Sequence, residues 1–116
     1  MCRMANLTNR EAIEAVRNLC QSEFLPICTP VFVANRTDVC FVLMTNEDFS
    51  EDIILVIWKS PDGKIKQKEA LRGCVTINDL PTEKDGKIRL NLVGFGRSDV
   101  TKEFLVSDFG LESVKC

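Results

Sequence analysis

Val39 to Thr45 reads Val-Cys-Phe-Val-Leu-Met-Thr, and Ile53 to Gly63 reads Ile-Ile-Leu-Val-Ile-Trp-Lys-Ser-Pro-Asp-Gly. β-Branched and aromatic residues dominate both runs, which suits a pleated, buried surface better than a helix. The second run stops at Ser60-Pro61-Asp62-Gly63, where proline presets φ at the second turn position and glycine is favoured at the fourth. Strands are therefore expected at 39–45 and 53–59, with a reversal after the second. Each apolar run is near six residues long, far short of the ~20 that a helix needs to cross a bilayer. Membrane insertion is not expected.

The β pattern extends outward from these runs. Val31 to Asn35 is another strand candidate upstream. Downstream, Lys64 to Lys68 reads as a short polar strand and Gly73 to Asn78 as a further one. Lys84-Asp85-Gly86 is a second turn signal. Lys87 to Val93 alternates, with Ile88, Leu90 and Leu92 on one side and Lys87, Arg89 and Asn91 on the other. Thr101 to Ser107 closes the series. Seven short strands with turn signals between them imply an antiparallel sandwich or barrel. No strand–helix alternation is present to build a parallel nucleotide-binding sheet.

A helix precedes the strands, over residues 8–22. Thr8-Asn9-Arg10-Glu11 fits a capping box, with Leu7 and Ala12 as the accompanying hydrophobic staple. Ala12, Ile13, Val16, Leu19 and Cys20 then recur at helical spacing. Pro26 ends any helix at or before Leu25. One apolar stripe of this kind is expected to pack on its own domain. With 116 residues, the chain reads as one domain, 1–116, made of this helix and a β-sandwich over 29–109. The apolar fraction of 45% is ordinary for a globular core, and the net charge of −2 with interspersed signs attracts neither DNA nor a membrane surface.

The strand segments resemble an immunoglobulin-like, I-set-like domain. Ile57-Trp58-Lys59-Ser60-Pro61-Asp62-Gly63-Lys64 is similar to its third strand and the turn that follows. Val75-Thr76-Ile77-Asn78-Asp79-Leu80 is similar to its fifth strand. Glu83-Lys84-Asp85-Gly86-Lys87-Ile88-Arg89-Leu90 resembles the segment that enters the sixth, and Gly94-Phe95-Gly96 with Thr101 to Ser107 the last hairpin. The sequence departs where the family keeps a corner tyrosine and two core cysteines: Ile88 and Leu90 stand at two of these places, and Met44 falls near the third. The resemblance implies a seven-stranded sandwich in which Met44, Trp58 and Leu90 touch in place of a disulfide. It also implies that the strand at 39–45 pairs with the one at 73–78. The N-terminal helix is foreign to the family, so the alternative to this mainly β fold is an α+β arrangement with the helix packed on an antiparallel sheet.

Six cysteines, Cys2, Cys20, Cys28, Cys40, Cys74 and Cys116, contain no C-x-x-C pair, which speaks against a zinc cluster or a redox dithiol. Under the implied pairing, Cys40 and Cys74 lie several residues apart along the ladder, too far for a disulfide. Reduced thiols acting as small apolar residues are the preferred reading. A free terminal cysteine can also link two chains as a homodimer.

Catalytic signatures are few. The chain has no histidine and no tyrosine, which removes the commonest general base, the histidine-paired nucleophiles and the usual catalytic zinc ligand. Glu47, Asp48, Glu51 and Asp52 surround Phe49, but their spacing matches no EF-hand loop. Gly94 to Asp99 carries no phosphate-loop lysine. No cofactor is expected, and the chain reads as a non-enzyme.

Three surfaces remain as protein-binding candidates. Phe95 and Arg97 in the 94–99 loop are residue types favoured at interfaces. Phe49 sits in the acidic loop. Lys64, Lys66 and Lys68 alternate along one strand, either as a patch for an acidic partner or as protection of a sheet edge. No aromatic platform is interleaved with these lysines, so nucleic acid is not expected as a partner. The leading expectation is a non-enzymatic protein-binding or structural module. Its alternative is a small secreted or pathogen-encoded effector that binds a host or receptor protein. The sequons Asn6-Leu7-Thr8 and Asn35-Arg36-Thr37 favour secretion; the lack of an apolar leader core at the N-terminus favours an intracellular chain.

Overall fold

The structure, a computed structural model, describes residues 5–20, 24–26, 29–46, 52–72, 75–77, 79–94 and 100–111. A helix α1 (Asn9–Cys20) leads into β1 (Phe24–Pro26), β2 (Val31–Phe32), β3 (Val39–Asn46), β4 (Asp52–Lys59) and β5 (Ile65–Arg72). There follow β6 (Val75–Ile77), β7 (Thr82–Lys84), β8 (Lys87–Gly94), β9 (Val100–Leu105) and a 3₁₀ turn at Val106–Phe109. All seven expected strands are present, and β1 and β7 are three-residue additions. The chain is mainly β, with two antiparallel sheets and one helix.

In the first sheet, β3, β4 and β5 form a meander, and β1 and β2 share the outer edge of β3. In the second, β9 lies on one side of β8, while β6 and β7 share the other. The turns follow the sequence signals. Gly63 N–H donates to the Ser60 carbonyl at 2.8 Å, closing the β4–β5 hairpin. Asp85 and Gly86, at φ 54° and 79°, give β7–β8 the doubly left-handed two-residue turn that suits strand twist.

The pairing implied by the resemblance is not found. β3 pairs with β4 over a ladder from Val39↔Trp58 to Thr45↔Asp52, and β6 lies in the other sheet. Side-chain parity then sorts the residues of this ladder between two faces. Residues opposite one another in a ladder share a face. Val39, Phe41 and Leu43 of β3 thus join Ile54, Val56 and Trp58 of β4 on one side, facing Ile88, Leu90 and Leu92 of β8. Cys40, Val42 and Met44 join Ile53, Leu55 and Ile57 on the other, against Leu7, Ala12 and Val16. The expected contact of Met44 with Trp58 and Leu90 is therefore absent: Met44 packs under the helix, while Trp58 stacks at 4.6 Å on Phe109, beyond β9. The architecture has three layers, helix on sheet on sheet, and combines the sandwich with the helix-on-sheet alternative.

The helix is held as its cap predicts. Thr8 N–H donates to Glu11 Oε1 at 3.0 Å and Glu11 N–H to Thr8 Oγ1 at 3.1 Å. Glu11 also accepts from Lys59 Nζ at 2.9 Å, which pins the helix start to the end of β4. The Lys59 ammonium and the Thr8 N–H together hold the Glu11 carboxyl below its ordinary range.

The two sheets are stitched along one flank. Arg36, in the turn before β3, donates through Nε and Nη2 to both Asp38 oxygens at 2.9 and 2.8 Å, and through Nη1 to Glu83 of β7 at 2.5 Å. All three side chains are almost fully buried. Burial opposes the charged guanidinium, and the hydrogen bonds and charges of Asp38 and Glu83 outweigh it, so its pKa moves up. Beside it, Ala34 N–H donates to the Pro81 carbonyl at 2.8 Å. Removing the cation would strand two buried carboxylates, so Arg36→Ala should destabilise the fold by about 3–5 kcal/mol. Chemical denaturation monitored by Trp58 fluorescence measures this directly, and a loss below about 1 kcal/mol would show that the network does not clamp the sheets.

Candidate functional site

The opposite flank is open. β5 ends the first sheet, and no strand among the described residues pairs with its outer edge. Its sequence, Ile-Lys-Gln-Lys-Glu-Ala-Leu-Arg, is polar from Lys66 to Glu69, and Lys66, Lys68 and Glu69 are exposed. Lys66 and Lys68 stand opposite Trp58 and Val56, on the sandwich side of the sheet, yet both are exposed. Ile65 and Gln67 lean towards the helix side, where Ile65 packs against the helix cluster. The Gln67 side-chain oxygen there is buried and has no hydrogen-bond partner among the described residues.

A bulge interrupts the strand. The register passes from Leu55↔Glu69 to Ile54↔Leu71, leaving Ala70 as the extra residue. Ala70 and Leu71 consequently both meet the sandwich core. Lys102 of β9 reaches across the flank and donates from Nζ to the Ala70 carbonyl at 2.7 Å, its ammonium 5.9 Å from the Phe104 ring centroid. This bond occupies a carbonyl that the bulge frees.

The three lysines predicted as a site thus do lie together. Lys64 is in the turn, one residue before β5; Lys66 and Lys68 follow on one face. Asp62 sits at the head of this row. Its carboxylate accepts from the Ser60 hydroxyl and from Lys64 N–H, the latter at 3.1 Å. Those bonds, with the Lys64 and Lys66 charges nearby, hold its pKa below the ordinary value. Glu69 is engaged with Arg72 at 2.7 Å. Lys66 and Lys68 have no ion-pair partner among the described residues.

The other predicted site residues, Phe95, Arg97 and Phe49, lie outside the described residues. So do Glu47, Asp48 and Glu51 of the acidic cluster, while Asp52 opens β4. Among the described residues no group of three metal-ligating side chains forms, and no helix is long and apolar enough to cross a membrane. Of the sequons, Thr8 serves as the helix cap and Thr37 donates its hydroxyl to the Ala5 carbonyl at 2.9 Å. Asn35 is exposed at φ 64° in the turn before β3. Surface grooves among the described residues include the following two. One, of 730 Å³, runs between α1 and the chain after β1, along Arg10, Ile13, Arg17 and Pro30. The second, of 340 Å³, crosses the outer face of β8, where Lys84, Lys87 and Arg89 alternate with Asp85 and Glu103.

The chain matches no protein-family model, no curated protein and no solved structure.

Cys40 bears a free thiol and is fully buried beneath the helix. Burial alone pushes that thiol up to about 12, so at neutral pH it is not a thiolate and cannot serve as a nucleophile. The remaining cysteine side chains lie outside the description. Alkylation followed by peptide mapping should find Cys40 unmodified in the native protein at pH 8 and modified on denaturation. Native labelling as fast as that of a free thiol would overturn its place in the core.

Proposed function

We propose that this chain is a non-enzymatic protein-binding module that recruits its partner at the open flank, by adding an extended segment to the outer edge of β5. The observation that carries this reading is the contrast between flanks. One is closed by a buried ion network and a backbone bond across the sheets. The other presents an eight-residue strand whose outer edge and whose exposed Lys66 and Lys68 have no partner among the described residues. Unpaired backbone groups of an edge strand supply affinity, and side chains at alternate positions supply selectivity. The likeness to immunoglobulin-like domains enters only as two facing antiparallel sheets around Trp58, because the strand order differs.

The missing histidine and the silenced Cys40 thiol support a binding rather than a catalytic role. The lysines and the bulge also resist indiscriminate edge pairing, which is compatible with a selective partner. Affinity capture from the native host separates β5 from the loop at 94–99. Recovery of the bound protein should fall at least about tenfold with Lys66→Glu plus Lys68→Glu and persist with Phe95→Ala plus Arg97→Ala, all variants keeping the wild-type melting temperature. Equal recovery by the lysine variant would remove β5 from consideration.

A further inference from the structure

The edge of β5 selects by charge, and the geometry points to an extended acidic segment, with carboxylates at every second residue, as its partner class. This rests on the strand-addition reading above and names what the strand must be. The argument begins with the copy it excludes. In an antiparallel pair related by a two-fold axis, the axis stands perpendicular to the sheet and preserves its faces, so each residue meets one of its own parity. Lys64, Lys66 and Lys68 are all of one parity. A self-pairing centred at Ile65 puts Lys64 opposite Lys66, one centred at Lys66 puts it opposite itself, and one centred at Gln67 puts Lys66 opposite Lys68. Centring at Lys68 sets that residue against itself. Like charges directly opposite are destabilising, so the strand rejects its own copy in each of these registers.

The same row is complementary to a strand bearing Glu or Asp at alternate positions. Lys66 and Lys68 are exposed and share the sandwich-side face of the sheet. Lys102, on the neighbouring edge strand β9, adds a further positive charge to that side of the flank while it holds the Ala70 carbonyl. Of the acids close by, Glu69 is paired with Arg72, while Asp62, hydrogen-bonded by Ser60 and Lys64 N–H, places a negative charge near Lys64 and Lys66 at the turn end of the row and leaves Lys68 clear of it. Beyond Glu69 the bulge changes the phase of the strand, so the alternating match runs from Lys64 to Lys68 and no further. The intervening side chains of the incoming strand would lie beside Ile65 and Gln67, on the helix side, where Ile65 is apolar and half-buried. Apolar residues between the acids fit that side.

The test uses short capped peptides alternating valine with glutamate, valine with glutamine, and valine with lysine, titrated into the full chain with amide chemical shifts as readout. The glutamate peptide should perturb amides of residues 64–72. It should bind roughly tenfold more tightly than the glutamine peptide at low salt, an advantage that added salt reduces. The Lys66→Glu plus Lys68→Glu variant should invert the order and favour the lysine peptide. Equal binding of the glutamate and glutamine peptides at β5 would overturn the charge rule while leaving strand addition intact. Absence of any perturbation at 64–72 with all three peptides would overturn strand addition itself. The wild-type comparison of peptides decides the charge rule even where the double variant fails to fold.

Discussion

A hairpin that is apolar on both faces sets the terms for the rest of the molecule. From Val39 to Met44 and from Ile53 to Trp58 every side chain is buried, and neighbours in sequence point to opposite faces. Neither face can be left in water, since each large aliphatic side chain contributes about 1.5–3 kcal/mol when buried. Two covers are therefore required. The second sheet and the turn that follows it provide one, through Ile88, Leu90, Leu92, Phe104 and Phe109, the last packed on Trp58 of β4. The capped helix provides the other, through Leu7, Ala12 and Val16.

The edges of this arrangement divide by the same logic. Where β2 and β7 meet, a guanidinium is shared between two carboxylates, and the cost of burying these charges is met by full hydrogen bonding. Where β5 and β9 meet, Lys102 donates to the Ala70 carbonyl. β5 carries exposed lysines and a bulge in place of a covering strand. Those are the devices by which an edge refuses most strands, and a carboxylate-bearing strand is the kind that they do not repel.

Much of the fold could be read from local patterns. The capping box, both glycine turns and a strand within each of the seven expected segments appear where periodicity and turn chemistry place them, although the first of these strands ends at Phe32 and the last at Leu105. The strand order could not be read so, because parity within Val39–Thr45 and Ile53–Lys59 says that both faces are apolar without saying what covers each. The family resemblance filled that gap with the wrong partner for β3, and it carried Met44 to the wrong side. The ion network was equally hidden: Arg36 and Glu83 lie 47 residues apart, and neither the sequon around Arg36 nor the turn segment after Glu83 signals that they pair. At the candidate site the lysine alternation was legible, and the break in alternation at Ala70-Leu71 was the one available sign of the bulge. The same alternation offered an edge reading for β5, and the strand order, which places it last in its sheet, lies beyond local sequence.

The central claim is that β3 and β4 form a doubly covered centre and that β5 is its open edge. Amide hydrogen exchange resolved by residue tests it most directly. Amides of β3 and β4 should exchange only through global unfolding, with alternate amides along β5 exchanging much faster because they face outward. Protection along the whole of β5 equal to that of β4, in the isolated chain, would show the edge to be covered and contradict the account.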